Sequence, residues 1–188
     1  MLTKISKLIN EDISVKKALI KTQTKSIELL AKTMIATLKA GNKILIFGNG
    51  GSAADSIHIA AELIGRFKKE RIALPAIALT ANISNLTALG NDYSFDYIFE
   101  RQIEALGKKG DMAIGISTSG ESENVIRGIL KASKMGIKTA VLTGKNKGKL
   151  SKAADISIIV PSTNTPRIQE AHITIAHIVC EIVEDAFC

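Results

Sequence analysis

Two hydrophobic periods divide the chain. From residue 1 to about 40 there is no Gly or Pro, and apolar residues recur at helical spacing, first Leu2, Ile5 and Ile9, then Ile27, Leu30, Met34 and Leu38. Gly41-Asn42 supplies a stop signal. An arm of this kind has little core of its own, so it must pack on the rest of the chain or on the same arm of another subunit. From Lys43 onward, compact Val/Ile/Leu runs alternate with helix-spaced segments. Strands are predicted at 43–47, 75–80, 111–116, 137–142 and 156–160. Helices are predicted at about 52–66, 83–90, 95–106, 122–135, 147–153 and 167–186. Strand–helix alternation with nearly continuous apolar strands argues for an α/β fold, a parallel sheet covered on both faces through right-handed crossovers. The expectation is one domain over residues 1–188, a helical oligomerisation arm at 1–40 and a doubly wound five-stranded core at 41–188.

Composition narrows the class. At 188 residues, with 46% apolar residues, 4% aromatics and no Trp, the core is built from Val, Ile, Leu and Ala. Cys180 and Cys188 show neither metal spacing nor a disulfide framework. Met1 to Asn10 contains no apolar signal segment, and no apolar run approaches the roughly 20 residues that span a bilayer. A soluble, cytoplasmic protein with no membrane partner is expected. The net charge is +7, much of it in Lys4, Lys7, Lys16, Lys17, Lys21, Lys25, Lys32 and Lys39. These lysines are spread along the arm without interleaved aromatics, which fits a solvated helix face and not a nucleic-acid stripe. Arg66, Lys68, Lys69 and Arg71, and the loop with Lys145, Lys147 and Lys149, suit the steering of a small anion.

Two segments carry the candidate chemistry. Gly48-Asn49-Gly50-Gly51-Ser52 and Ser117-Thr118-Ser119-Gly120-Glu121-Ser122 each follow a predicted strand and lead into a predicted helix. Such turns aim unpaired N–H groups and the positive end of a helix dipole at one point, which suits a phosphate. The second loop has the richer hydroxyl supply, so a terminal phosphoryl group is placed there. Glycine and serine at such turns also serve purely as turn and cap residues. A dinucleotide site is the sharper rival, since Gly48 to Ala53 fits G-x-G-x-x-A. That site needs an acidic residue after the second strand, and Ala76 to Leu79 runs into Thr80-Ala81-Asn82 instead. No Walker-type G-x-x-x-x-G-K-[S/T] occurs either, so no nucleotide cofactor is expected.

His58 and Glu62 are four apart on the helix that starts at the first loop, so they share a face. Such a pair begins a metal site or a general base oriented by an imidazole. The last helix offers Gln169, Glu170, His172 and His177. At ~100° per residue, His172 and His177 lie about 140° apart and cannot both face one site. Glu170 falls nearly in line with His177, whereas Gln169 is about 80° away, so helical geometry alone prefers Glu170 as the companion of His177.

Four segments in order, GNGGSAADSIHIAAELIGRF, ALGNDYSFDYIFERQ, GDMAIGISTSGESENVI and TPRIQEAHITIAHIV, make the chain resemble the phosphoheptose isomerases of the sugar isomerase (SIS) domain family over its whole length. The resemblance implies an SIS-type sheet, a homotetramer with sites at subunit interfaces, and isomerisation of an aldose and a ketose through an enediol. Its substrate would be a small sugar phosphate, sedoheptulose 7-phosphate, and its product an aldoheptose 7-phosphate, the first step of nucleotide-activated heptose synthesis for lipopolysaccharide core or capsule. By matching motifs, Glu62 would be the general base and His177 the general acid. One zinc ion would be held by His58, Glu62, Gln169 and His177. Ser117, Thr118, Ser119 and Ser122 would hold the phosphate, while Asn49, Gly50, Gly51, Ser52, Glu62, Arg66, Asn91, Asp92 and Gln169 would contact the sugar. The resemblance thus selects Gln169 where the helical wheel prefers Glu170. Two competing readings remain. A non-enzymatic SIS scaffold that binds a replication initiator predicts loss of the acid–base set, and isomerases of hexose or pentose phosphates lack the combined His58/Glu62 and Gln169/His177 pattern.

Overall fold

The computed structural model describes residues 1–145 and 148–188. Helix α1 (Leu2–Lys39) is continuous. It ends where Gly41 adopts φ +73° and the N–H groups of Gly41 and Asn42 turn back to the carbonyls of Leu38 and Thr37, the left-handed stop that glycine accepts without a Cβ penalty. Five strands follow, β1 (Ile44–Gly48), β2 (Ala76–Ala78), β3 (Met112–Ser117), β4 (Lys138–Thr143) and β5 (Ile156–Ile159). They form one parallel sheet in the order β2-β1-β3-β4-β5. The connecting helices are α2 (Gly51–Ile64), α3 (Ile83–Asp92), α4 (Glu100–Leu106), α5 (Glu123–Lys134) and α6 (Lys149–Ala153), and α7 (Thr165–Asp185) closes the chain.

Alternation along the strands sorts the core into two halves. Ile44, Ile46, Met112, Ile114, Ile116, Ala140 and Leu142 face α1, α2 and α7. Leu45, Phe47, Ala113 and Val141 face α4 and α5, where Phe47 meets Phe99 with ring centroids 5.0 Å apart. The arm divides by burial. Val15, Leu19, Ile27, Leu30, Ala31, Met34 and Leu38 are buried against the rest of the chain, whereas Leu2, Ile5 and Ile9 stand exposed. Polar ties fasten the arm to the sheet and to α7: the Ile159 N–H donates to Gln23, Asn164 donates to Glu11, and Arg167 donates to the Leu8 carbonyl. No helix among the described residues is long and apolar enough to cross a membrane.

Most sequence-predicted boundaries move by one or two residues. The strand predicted at 75–80 is shorter, because the Ala81 N–H turns back to the Ala78 carbonyl and ends the ladder two residues after Leu79 has bonded to Ile46. The helix predicted at 95–106 is broken into a 3-10 turn, Phe95–Tyr97, and α4. The Ser94 hydroxyl accepts from the Asp96 N–H to start that turn, and the break lets the consecutive Ile98 and Phe99 both reach the core. The last short helix begins at Lys149, and Lys147, placed in it and in the basic loop by the sequence, lies outside the described residues.

The strand order puts the site in place. The strand order reverses between β1 and β3, with β2 added on one side and β4 and β5 on the other, and in open α/β sheets ligands bind beyond the carboxyl ends of the strands at that switch point. The loops after β1 and β3 are the two Gly- and Ser-rich segments of the sequence.

Candidate active site

The first loop is built from backbone. Gly50 caps α2 at φ +55°, a conformation L side chains avoid. Gly51 lies so close under the amide of Gln169 that a methyl group there would overlap it. The α7 side chain thus lies directly over the loop. The Asn49 amide is spent on Asn124, at the start of α5, in a reciprocal pair of hydrogen bonds of 2.9 and 3.0 Å. Asn124 is buried, so this pair ties the two loops together.

The second loop is built from hydroxyls. Ser117 Oγ lies 2.9 Å from Ser122 Oγ and 3.4 Å from Ser119 Oγ. The N–H groups of Gly120 and Glu121 donate to the Ser117 and Ser119 hydroxyls. Ser122 stands at the N-cap of α5 without spending its hydroxyl on the helix. Thr118 is half-buried between them. An oxyanion arriving here would meet hydroxyls already gathered at a helix start.

Three titratable groups converge beside the first loop. His58 and Glu62 come from α2, two and three turns into the helix, and His177 comes from α7. Their potential ligand atoms all lie within 4.8 Å of one another. His58 Nε2 and Glu62 Oε1 lie 3.0 Å apart, a hydrogen bond in which the imidazole N–H donates to the carboxylate oxygen. The His58 and His177 rings meet edge to face with centroids 5.1 Å apart, and Phe67 lies 5.5 Å from His177 on another side. Two imidazoles and a carboxylate are good zinc donors. Donor atoms within 4.8 Å of one another are near enough to share one ion. These residues fit the ion.

Other sequence-predicted residues fall elsewhere. Glu170, the wheel's choice beside His177, pairs with Arg167 at 2.7 Å on its own helix, while Gln169 faces the first loop. The wheel measures only the angle to His177, and the loop against which Gln169 lies does not enter it. His172 is wholly buried, and burial pushes its imidazole down to about 4, with the Thr143 backbone acting in the other direction. Arg66 is exposed just past the end of α2. Asn91 and Asp92 are exposed at the end of α3, where the Asn91 amide donates to the Asp92 carboxylate. Cys180 is a core thiol pushed up to about 12 by burial.

Sequence reasoning missed four residues. Asn124 and Phe67 act through contacts between distant segments, and no local pattern marks them. Glu184, buried in α7, accepts hydrogen bonds from the loop that follows α2. Asp55 was readable, because Asp55, His58 and Glu62 follow the i, i+3, i+7 spacing of one helix face. Its Oδ2 is buried without a hydrogen-bond partner among the described residues. Burial raises its carboxyl above the usual value, partly offset by the nearby His58 and His177.

Comparison with known proteins accords with this geometry. The SIS domain profile matches residues 9–144. The phosphoheptose isomerase of Aquifex aeolicus is 57% identical over 188 residues, covering 100% of this chain and 98% of that protein. Among solved structures, phosphoheptose isomerase GmhA from Neisseria gonorrhoeae superposes with a TM-score of 0.93 at 39% identity, covering 98% of both chains. A phosphoheptose isomerase from Francisella tularensis gives 0.94 at 37% identity, also over 98% of both chains.

Proposed function

The chain belongs to the SIS domain family and, within it, to the phosphoheptose isomerases, and we propose on that premise that it interconverts sedoheptulose 7-phosphate and D-glycero-D-manno-heptose 7-phosphate. It is an aldose–ketose isomerase of heptose biosynthesis. The observation that carries the reading is the meeting of His58, Glu62 and His177 beside the first loop, with a hydroxyl-lined loop next to it in the sheet. A non-enzymatic scaffold has no use for that acid–base set.

In the proposed mechanism, Ser117, Thr118, Ser119 and Ser122 hold the phosphate, and Gly50, Gly51 and Ser52 face the sugar with Gln169 above them. Asn49, Arg66, Asn91 and Asp92 complete the sugar contacts in this reading. The bond to His58 occupies one Glu62 oxygen and leaves the other for carbon. Glu62 removes a proton from C1 of the ketose, and the C–H electron pair becomes the C1=C2 bond. The C2 oxygen takes a proton from His177, giving the enediol. The C1 hydroxyl then loses its proton to His177, C1=O forms, and Glu62 returns its proton to C2. Phe67 against the imidazole keeps water from one side of His177. His58, Glu62, His177 and Gln169 would hold a zinc ion, which when bound supplies polarisation of the carbonyl oxygen.

The reading also includes a cytoplasmic homotetramer of single-domain chains joined through the arm, whose exposed Leu2, Ile5 and Ile9 lack a cover in one chain. The heptose would feed lipopolysaccharide or capsule. Incubation of the purified protein with sedoheptulose 7-phosphate tests the assignment, with ribulose 5-phosphate and fructose 6-phosphate as controls. Formation of an aldoheptose 7-phosphate from the first alone is expected. Turnover of a control at equal or greater efficiency would move the assignment to another sugar phosphate.

A further inference from the structure

The segment that leaves α2, residues 65–71, has no regular structure, yet it carries Arg66 and the Phe67 ring that lies on His177. Its conformation is set by one side chain of α7. The consecutive N–H groups of Phe67, Lys68 and Lys69 all donate to the Glu184 carboxylate, at 2.7, 2.7 and 2.8 Å. Three successive donors turned toward one anion form a backbone nest. Glu184 is 1% exposed, and the Arg71 guanidinium lies beside it with its Nε at 3.7 Å. Arg71 in turn donates to the backbone carbonyls of Gly65, Ile72 and Glu62. One link of this clamp therefore ends on the peptide of the general base.

The same helix serves both ends of the arrangement. Glu184 follows His177 by seven residues, which returns it to within about 20° of the same face. Lys68 and Lys69 add ion pairs to Glu181 and Asp185, but these are exposed and contribute little. Burial alone would lift the Glu184 carboxyl, but the three N–H donors and Arg71 outweigh it and hold it below the ordinary value.

We propose that Glu184, acting with Arg71, is a positioning residue for the isomerase site: it locks the exit of α2 onto α7, so that Phe67 seats the His177 ring and the Glu62 peptide keeps its distance from it. The inference rests on the isomerase reading for its role in turnover. A misplacement of about 1 Å in a reacting group can cost on the order of a hundredfold in rate, and remote phosphate binding would be untouched.

The test compares Glu184→Gln with Glu181→Gln, which removes only the exposed partner of Lys68. In Glu184→Gln, kcat is expected to fall at least tenfold with KM within threefold, at unchanged circular dichroism and oligomeric state, while Glu181→Gln matches the unaltered protein. In the substrate-free, metal-free protein, the NMR signals of the His177 ring protons, which feel the Phe67 ring current, should shift in Glu184→Gln and not in Glu181→Gln. Unshifted His177 signals, or a lower melting temperature with kcat intact, would overturn the inference and reduce Glu184 to a structural acceptor. Should Glu184→Gln not fold, Phe67→Leu takes its place: a kcat loss of at least threefold supports the clamp, and full kcat sinks it. Absence of turnover in the unaltered protein would strike the isomerase reading instead, and the NMR comparison would still decide this one.

Discussion

The loops after β1 and β3 occupy equivalent places, each a strand end that leads into a helix at the switch point of the sheet, yet they are made of different material. The first presents glycine backbone. Its one amide side chain is taken up by Asn124, and Gln169 covers it from α7. The second presents three serine hydroxyls that satisfy one another. The helices that follow differ in the same sense. α2 carries Asp55, His58 and Glu62 along one line, whereas α5 turns Val125, Ile126, Ile129 and Ala132 into the core. The position in the sheet makes both loops ligand-facing. In the proposed reading, what stands on the next helix makes one a place for chemistry and the other an anchor.

If that division holds, substitutions on the two sides should separate in kinetics. The largest effect is expected at Glu62→Gln, which keeps the shape and removes the base. Loss of a general base typically costs about 10²–10⁴ in rate, so kcat should fall by that much while the protein folds and binds substrate. Turnover within threefold of the unaltered enzyme would take the chemistry away from α2. Chelation is expected to lower activity and added zinc to restore it, and His58→Ala should abolish the restoration. Full activity in the metal-free enzyme would leave the same residues as a proton-transfer set.

A second effect lies behind the anchoring loop, where His172 sits in the core near Thr143, whose hydroxyl Gly120 approaches. The folded state holds this imidazole neutral down to about pH 4, whereas an unfolded histidine gains its proton near pH 6.5. Its contribution is therefore complete above pH 6.5 and is lost as pH falls from there toward 4. One bound proton changes stability by ~1.4 kcal/mol for each step of one in pH, so the loss is about 3 kcal/mol across that window. Urea midpoints at a series of pH values should show this slope in the unaltered protein and not in His172→Gln. Parallel curves would mean that His172 is solvated or paired.

Ser119→Ala or Ser122→Ala should come next. A hydrogen bond to a charged group contributes roughly 1.5–3 kcal/mol, so KM should rise about ten- to a hundredfold with kcat changed much less. Holding a remote phosphate is uniform binding. Steady-state kinetics on both variants distinguish this from a role in the chemical step, in which kcat would fall instead. An unchanged KM would put the phosphate at the first loop and reverse the comparison.

What the sequence made readable follows the same boundary between local and distant causes. The parallel sheet, the two loops and the His58–Glu62 face are written in periodicity and short spacings, which a single segment determines. β2 was read too long and the 3-10 turn was missed because their limits are set by single local hydrogen bonds, Ala81 to Ala78 and Asp96 to Ser94, which hydrophobic periodicity does not register. The choice between Gln169 and Glu170 could not be made from an angle on one helix, since packing against Gly51 decides it. Asn124, Phe67 and Glu184 are invisible for the same reason. Each matters through a partner more than 70 residues away.

The smallest expected effect asks whether the two loops act as separate parts at all. Asn49 and Asn124 each give the other one donor and one acceptor, and Asn124 is 2% exposed, so its amide has no water to fall back on. If the pair only sets the spacing of the loops, Asn49→Ala and Asn124→Ala should each lower kcat/KM about three- to tenfold. The double variant should then be little worse than either, a coupling of about 1 kcal/mol, as expected for residues in direct contact. If Asn49 instead reaches the sugar independently of its partner, Asn49→Ala should cost clearly more than Asn124→Ala, and the two losses should add. The cycle thus separates a substrate contact, which the family resemblance assigns to Asn49, from the loop-to-loop bond that the geometry shows. An additive result would make the loops independent parts, whereas strong coupling would make chemistry and anchor a single unit.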